Sequence, residues 1–145
     1  MIKQHPLIIL SPVKKDKVEE LDKRLRVIRE NLQHGTESEF KKVTTLHYGR
    51  FVILNRESFR DEPAVPVGTR LVFSTIFDGE KDNHLTELVT NITSYIDNIY
   101  DCCEGYPEPG SRTTESRKTY LEKYSIKTSA FFFAHSNSGF ESTSF

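Results

Sequence analysis

The sequence predicts a single α+β domain with elements in the order strand, helix, strand, strand, helix, short helix, strand. In two long segments, apolar residues recur every three or four positions, as they do on the buried face of an amphipathic helix. Four other segments are short and rich in β-branched, aliphatic or aromatic residues, which is typical of strands. A chain of 145 residues is long enough to bury one sizeable core.

The first strand and the first helix are predicted near the N-terminus. Residues 7–10 form an apolar run that Pro12 closes, which indicates a buried strand. The helix that follows begins after Ser11 and Pro12 and ends at Gly35, a residue type common at helix C-termini. Its apolar face is formed by Val18, Leu21, Leu25, Ile28 and Leu32, and the positions between them are mostly charged.

The second and third strands are predicted over residues 42–55 and 70–78. A polar, proline-containing segment joins them as a long hairpin connection. Asp78 and Gly79 then form a turn signal at the end of the third strand.

The second amphipathic helix is predicted as one continuous element. Its apolar positions are Leu85, Leu88, Val89, Ile92, Tyr95, Ile96, Ile99 and Cys103. Asp82 or Asn83 is the expected N-cap, and Gly105 with Pro107 marks the end.

A shorter third helix is predicted over residues 111–124 and a fourth strand over residues 127–135. Thr113 or Thr114 is the expected cap of this helix. Residues 1–136 are therefore assigned to one domain, and residues 137–145, which are small and polar, to an irregular C-terminal tail.

This order of elements is the split β-α-β arrangement of a ferredoxin-like fold, βαββαβ, with a four-stranded antiparallel sheet. Each long helix has one apolar stripe, so both helices are expected on one face of the sheet. Neither side of the second strand is cleanly polar, and the second face is therefore expected to be buried between two copies of the chain. The sequence predicts a homodimer.

Composition excludes several classes of function. The 20 Lys and Arg residues nearly balance the 21 Asp and Glu residues, so the net charge of −1 gives no general attraction to nucleic acid or to an anionic membrane. The apolar stretch near the N-terminus is too short for a signal peptide or a membrane span, and we expect a soluble, cytoplasmic protein. Cys102 and Cys103 are neighbours, which predicts reduced, partly buried thiols with no disulfide framework and no metal site.

Three segments of the chain resemble the dimeric α+β barrel superfamily. They are H-P-L-I-I-L-S-P-V-K, T-L-H-Y-G-R-F-V-I-L and L-V-F-S-T-I-F-D-G-E-K-D. They are similar in particular to uncharacterised bacterial sequences with a T-L-H-F-A-R strand and a strand ending in N-F-D-G, and the likeness covers most of residues 5 to 135. The superfamily includes small antibiotic-biosynthesis monooxygenases, muconolactone isomerase and haem-containing members. The resemblance implies a fold; no proximal-histidine segment or G-x-x-D-G motif of the haem-containing members is matched.

The candidate site centres on two polar residues of the second strand, His47 and Arg50. Three residues apart on a strand, they point to opposite faces unless a bulge at Gly49 intervenes. The catalytic hypothesis makes His47 a general base and Arg50 an anion clamp. The expected ligand-binding neighbours are Thr45, Tyr48, Ser74 and Asp78.

Each of these residues also has a structural interpretation. For His47, the structural interpretation is a hydrogen-bonded histidine that takes no part in chemistry. Arg50 equally suits an ion pair with Asp78 or another acid. His135 is a weaker candidate, as a partner of His47 in a metal or haem pair.

Function is predicted as binding of a small apolar ligand in a sheet-lined cavity, with no cofactor. The alternative is a cofactor-independent monooxygenase or isomerase that uses His47, and a further alternative is a haem-binding protein. No nucleophile elbow, phosphate-binding glycine loop or metalloprotease motif is present in the sequence.

Overall fold

The computed structural model describes residues 4–34, 39–56, 68–126 and 142–144, and within them the chain has the predicted α+β character. The strands are β1 (Gln4–Pro12), β2 (Leu46–Arg56), β3 (Gly68–Asp78), β4 (Ser125–Ile126) and β5 (Ser142–Ser144). The helices are α1 (Val18–His34), α2 (Lys81–Asn91), α3 (Thr93–Tyr100) and α4 (Thr114–Lys123). Short 3₁₀ turns lie at Lys15–Lys17, Glu39–Lys42 and Pro109–Ser111.

The sheet is open and antiparallel, with its strands in the order β4-β1-β3-β2-β5. The central strand β3 pairs with β1 from Asp78 to Arg70, opposite Gln4 to Pro12. It pairs with β2 along its other edge. The two edge strands, β4 and β5, are short. The predicted fourth strand over residues 127–135 lies outside the described residues. Three residues of the tail, which was predicted to be irregular, form β5.

The described helices pack on one face of the sheet, as predicted, and form the main core together with it. The strands contribute Leu7, Ile9, Phe51, Leu71, Phe73 and Phe77, and the helices contribute Leu21, Leu25, Ile28, Leu85, Leu88, Val89, Ile96, Ile99 and Leu121. At the centre, the rings of Phe51 and Phe73 are stacked with centroids 4.2 Å apart, and both residues are fully buried. Stacking between neighbouring strands fixes β2 beside β3 in this register.

The opposite face of the sheet, called here the second face, is apolar in the middle. Its buried residues Ile8, Val52, Leu54 and Val72 all come from strands, with Leu10 and Ile126 packed beside them. Towards one end of the face, Tyr48 and Ile76 are 42% and 38% exposed. The second face therefore has a buried apolar centre and an apolar pair in contact with solvent.

The predicted second helix is wrong in one respect, because it is divided into α2 and α3 at Ile92. This residue has φ −127° and ψ 40°, outside the helical region. Three threonine hydroxyls, those of Thr86, Thr90 and Thr93, donate to the carbonyl oxygens four residues earlier. Such bonds bend helices, and β-branched residues also lower helix propensity. The N-cap of α2 is Glu80 rather than Asp82 or Asn83, and its side chain makes no capping bond.

The predicted cap of α4 at Thr113 is confirmed. The Thr113 hydroxyl accepts from the backbone N–H of Ser116 at 3.0 Å, and the Ser116 hydroxyl accepts from the backbone N–H of Thr113 at 2.8 Å. This reciprocal pair satisfies two N–H groups that the first turn of a helix otherwise leaves without partners.

We expect Thr113→Ala to lower the free energy of unfolding by about 1 kcal/mol, the usual cost of losing a capping side chain. Chemical denaturation monitored by circular dichroism measures this loss. Thr119→Ala is the matched control, because Thr119 is exposed within the same helix. An equal loss in the two variants would contradict a capping role for Thr113.

Ion pairs and hydrogen bonds attach α4 to α3. Arg117 binds Asp97 through two nitrogens, at 2.9 and 2.8 Å, and the Tyr106 hydroxyl donates to the same carboxylate. Although partial burial opposes it, these bonds hold the pKa of Asp97 below its usual value. Cys102 and Cys103 are fully buried nearby, and burial raises the pKa of each thiol. Buried thiols of this kind are unreactive, in agreement with the predicted structural role.

Candidate functional site

A β-bulge lies at the start of β2, and it changes the environment of His47. Leu46 lies opposite Phe77, whereas Tyr48 lies opposite Ile76, so β2 has one more residue than β3 between these two pairs. The extra residue is His47. The sequence placed a possible bulge at Gly49, but Gly49 is regularly paired with Thr75.

The bulge brings His47 together with Asp78 at the end of β3. His47 Nε2 lies 2.5 Å from Asp78 Oδ2, and the side chain of His47 is 43% exposed. A carboxylate on one ring nitrogen orients the imidazole and determines which nitrogen carries the proton. His47 therefore lies at the protein surface as half of a His–Asp pair, rather than inside a cavity beneath the helices.

Three of the four predicted ligand-binding residues share the second face with Arg50. Arg50 pairs directly with Ser74, and Tyr48 with Ile76. Side chains alternate along a strand, so Ser74, Ile76 and Asp78 of β3 point to the same side. The fourth predicted residue, Thr45, does not belong to this group, because its hydroxyl lies in the helix-side core against His84.

Two polar atoms at this end of the second face are buried and make no hydrogen bond. They are Nε of Arg50, a donor, and Oδ1 of Asp78, an acceptor. Leaving such an atom without a partner costs about 1–3 kcal/mol, so each of the two calls for a physical explanation. The ion pair predicted between Arg50 and Asp78 is not what the structure shows, since the described partner of Asp78 is His47. The remainder of each side chain is partly exposed and accessible to solvent.

A second polar group lies in the core, at a position that was not predicted from the sequence. His84 of α2 is fully buried, and its ring nitrogens lie 2.8 Å from the Thr45 hydroxyl and 3.0 Å from the Thr75 hydroxyl. Its ring stacks on Phe77, with centroids 4.4 Å apart. Burial lowers the pKa of His84 to about 4, against an opposing effect of Glu87.

The spacing of α2 contained a signal for this residue. His84, Leu88 and Ile92 lie four residues apart and therefore on one side of a regular helix. His84 is a neutral histidine held by two hydroxyls, and both nitrogens are already in hydrogen-bond contact. This arrangement favours a structural role, and the candidate site remains the group of His47, Arg50 and Asp78.

The described residues contain no cluster of three or more His, Cys, Asp or Glu side chains arranged to hold a metal ion. His135, the weaker candidate for such a role, lies outside the part of the chain that the structure describes. Within that part, no helix has the length and apolar character needed to cross a bilayer. No family model, curated protein or solved structure matches this chain.

Proposed function

We propose that this protein binds a small, largely apolar ligand at the polar end of the second face. The observation that carries the proposal is the combination of an exposed apolar pair with two partly exposed charged side chains beside it. Tyr48 and Ile76 lie directly opposite each other and are exposed. The side chains of Arg50 and Asp78 lie on the same face and are partly exposed. Binding sites commonly join an apolar surface to a few polar groups that orient the ligand.

Native mass spectrometry of the purified protein and two variants tests this proposal. We expect the wild type to retain additional mass, and Ile76→Asp to lose it, because a carboxylate at position 76 would be placed against the apolar part of the ligand. Val27→Asp is the matched control, since Val27 is 55% exposed on α1, away from the sheet. A wild-type protein without bound mass, or retention of that mass by Ile76→Asp, would count against ligand binding at this face.

We also propose that the fold is ferredoxin-like and that two copies associate as in the dimeric α+β barrels. Support comes from the order of β1 to β4 in the sheet and from helices packed on one face, together with the resemblance of the β2 and β3 sequences. The same mass measurement tests the dimer: a mass of one chain at micromolar concentration would contradict it. The apolar centre of the second face is already buried within one chain, so a dimer would form around the exposed end of that face and enclose the ligand between the two copies.

The His–Asp pair favours a second candidate function, proton transfer to or from the bound ligand. A positioned histidine is the most frequent general acid or base in enzymes, and Asp78 holds His47 in one orientation. His47→Gln separates the two functions once the retained ligand is identified. A binding protein keeps its affinity in this variant, whereas an enzyme keeps the ligand but loses turnover by about 10²–10⁴-fold.

A further inference from the structure

We propose that one polar side of α2 holds His47 against Asp78, because it fixes the segment before β2 in the register that creates the β-bulge. This side is formed by His84, Glu87 and Asn91 and is called here the polar face of α2. Its members are positioning residues, since they act through the segment that they hold. The inference rests on the second candidate function proposed above, proton transfer by His47, and names the residues on which the geometry of that histidine depends.

The polar face of α2 binds three residues of the segment that leads into β2. His84, Glu87 and Asn91 are three and four positions apart, so they lie on one side of the helix. Asn91 Nδ2 donates to the carbonyl oxygen of Lys42 at 3.0 Å, the N–H and the hydroxyl of Thr44 donate to Glu87 Oε1 at 3.2 and 2.7 Å, and the Thr45 hydroxyl lies 2.8 Å from His84 Nδ1. Four hydrogen bonds to one helix thus fix residues 42–45, called here the anchored segment.

The position of the anchored segment determines which residue of β2 lies opposite Phe77. Regular continuation of the pairing between β2 and β3 would place His47 there, but Leu46 has that place instead. Because side chains alternate along a strand, a shift of one residue exchanges the two faces of the sheet. Leu46 therefore packs against the helix-side core, and His47, the extra residue of the bulge, reaches Asp78 at the surface.

The anchored segment is also bonded to the end of β3. The N–H of Asp78 donates to the carbonyl oxygen of Thr45 at 2.9 Å. His84, which holds Thr45 from α2, contacts the Thr75 hydroxyl at 3.0 Å and stacks on Phe77. The helix therefore binds both strands at this end of the sheet and sets the start of β2 against the end of β3.

The anchors offset the cost of the bulge. A β-bulge interrupts the ladder of backbone hydrogen bonds and leaves its extra residue unpaired. Two of the anchoring bonds end on the carboxylate of Glu87, and bonds to a charged group are the stronger kind. Without the anchors at Glu87 and Asn91, the start of β2 can leave the bulged register, and His47 then loses its fixed contact with Asp78.

¹⁵N NMR of the histidine rings in the ligand-free protein tests the inference. At about pH 9 an ordinary imidazole is neutral and carries one proton. A carboxylate on Nε2 keeps the proton on that nitrogen, so the two ring nitrogens of His47 should have widely separated resonances. Exchange of the proton between the nitrogens brings the two resonances together. The His47→Gln spectrum, which lacks this pair of signals, identifies them.

The double variant Glu87→Ala/Asn91→Ala removes two anchors and leaves the buried core unchanged. We expect the wide separation of the His47 resonances to be lost in this variant, because Asp78 no longer fixes the proton. Glu87→Ala alone serves if the double variant does not fold, and it should cause the same change to a smaller extent. Circular dichroism shows whether each variant is folded.

Two further variants separate positioning from general weakening. Glu87→Gln keeps a side-chain oxygen that can accept both bonds from Thr44, so it should keep the wild-type spectrum. Thr86→Ala is the matched control, since the Thr86 hydroxyl donates to the carbonyl oxygen of Asp82 within α2. It too should leave the His47 resonances widely separated.

Unchanged His47 resonances in the folded double variant, or in folded Glu87→Ala if that variant replaces it, would overturn the inference. So would an equal change in Thr86→Ala, or a change in Glu87→Gln as large as in Glu87→Ala. The spectra need no ligand and no turnover, so this outcome is distinct from failure of the proposed function. If His47→Gln keeps full turnover while the anchor variants lose the separation, the positioning stands and proton transfer by His47 fails.

Discussion

Lowering the pH from 7 to 4 is expected to remove roughly 3 kcal/mol of the stability of this protein through His84 alone. The folded protein holds His84 neutral, with a pKa of about 4, whereas in the unfolded chain the ring has its ordinary value of 6.5. The unfolded state therefore binds the proton first as the pH falls. The stabilisation is fully present above pH 6.5, decreases between pH 6.5 and 4, and is lost below the folded pKa.

Urea unfolding of the wild type and of His84→Gln at pH 7 and pH 4 measures this effect. Glutamine can contact the hydroxyls of Thr45 and Thr75 but does not titrate. Loss of the ring contact with Phe77 affects the variant at both pH values and therefore cancels in the comparison. The difference in stability between the two pH values should be about 3 kcal/mol smaller in the variant. The same pH dependence in both proteins would show that His84 is already able to accept a proton in the folded state.

Truncation of Phe73 to alanine is expected to produce the other large effect, a loss of about 3–5 kcal/mol in the free energy of unfolding. Phe73 is fully buried at the middle of the central strand and stacks on Phe51. A domain has about 5–15 kcal/mol of stability in total, so the midpoint of thermal unfolding should fall by on the order of 10 °C.

Differential scanning calorimetry of Phe73→Ala and Ile76→Ala provides the comparison. Ile76 lies on the same strand but on the second face, where it is 38% exposed, and its truncation should cost roughly 1 kcal/mol. Similar losses in the two variants would mean that the helix-side core is not the principal source of stability.

The two proposals for the second face make different demands on its residues. Ligand binding requires the apolar pair and Arg50, whereas proton transfer requires His47. Asp78 serves both, because one oxygen contacts His47 and the other lacks a partner. Variants of Asp78 therefore cannot separate the two functions, whereas His47→Gln does.

The sequence by itself determined the local elements of this protein. Apolar spacing of three and four predicted α1 and the positions of α2 and α3, and β-branched and aromatic residues predicted β2 and β3 within a few residues. These patterns are local, because each element must present its own apolar side chains to a common core. The cap of α4 was likewise predicted, at Thr113 or Thr114, since a capping bond joins residues only three positions apart.

Only the tertiary structure decided how these elements meet. The bulge at His47 depends on Leu46 lying opposite Phe77 across two strands, and no local signal near His47 specifies it. Without that bulge the alternation along β2 would group His47 with Thr45; with it, His47 reaches Asp78 and Thr45 contacts His84. The strand β5 is polar and exists as a strand by pairing with the edge of β2. Cross-strand register connects residues far apart in the chain, and it therefore lies beyond what periodicity encodes.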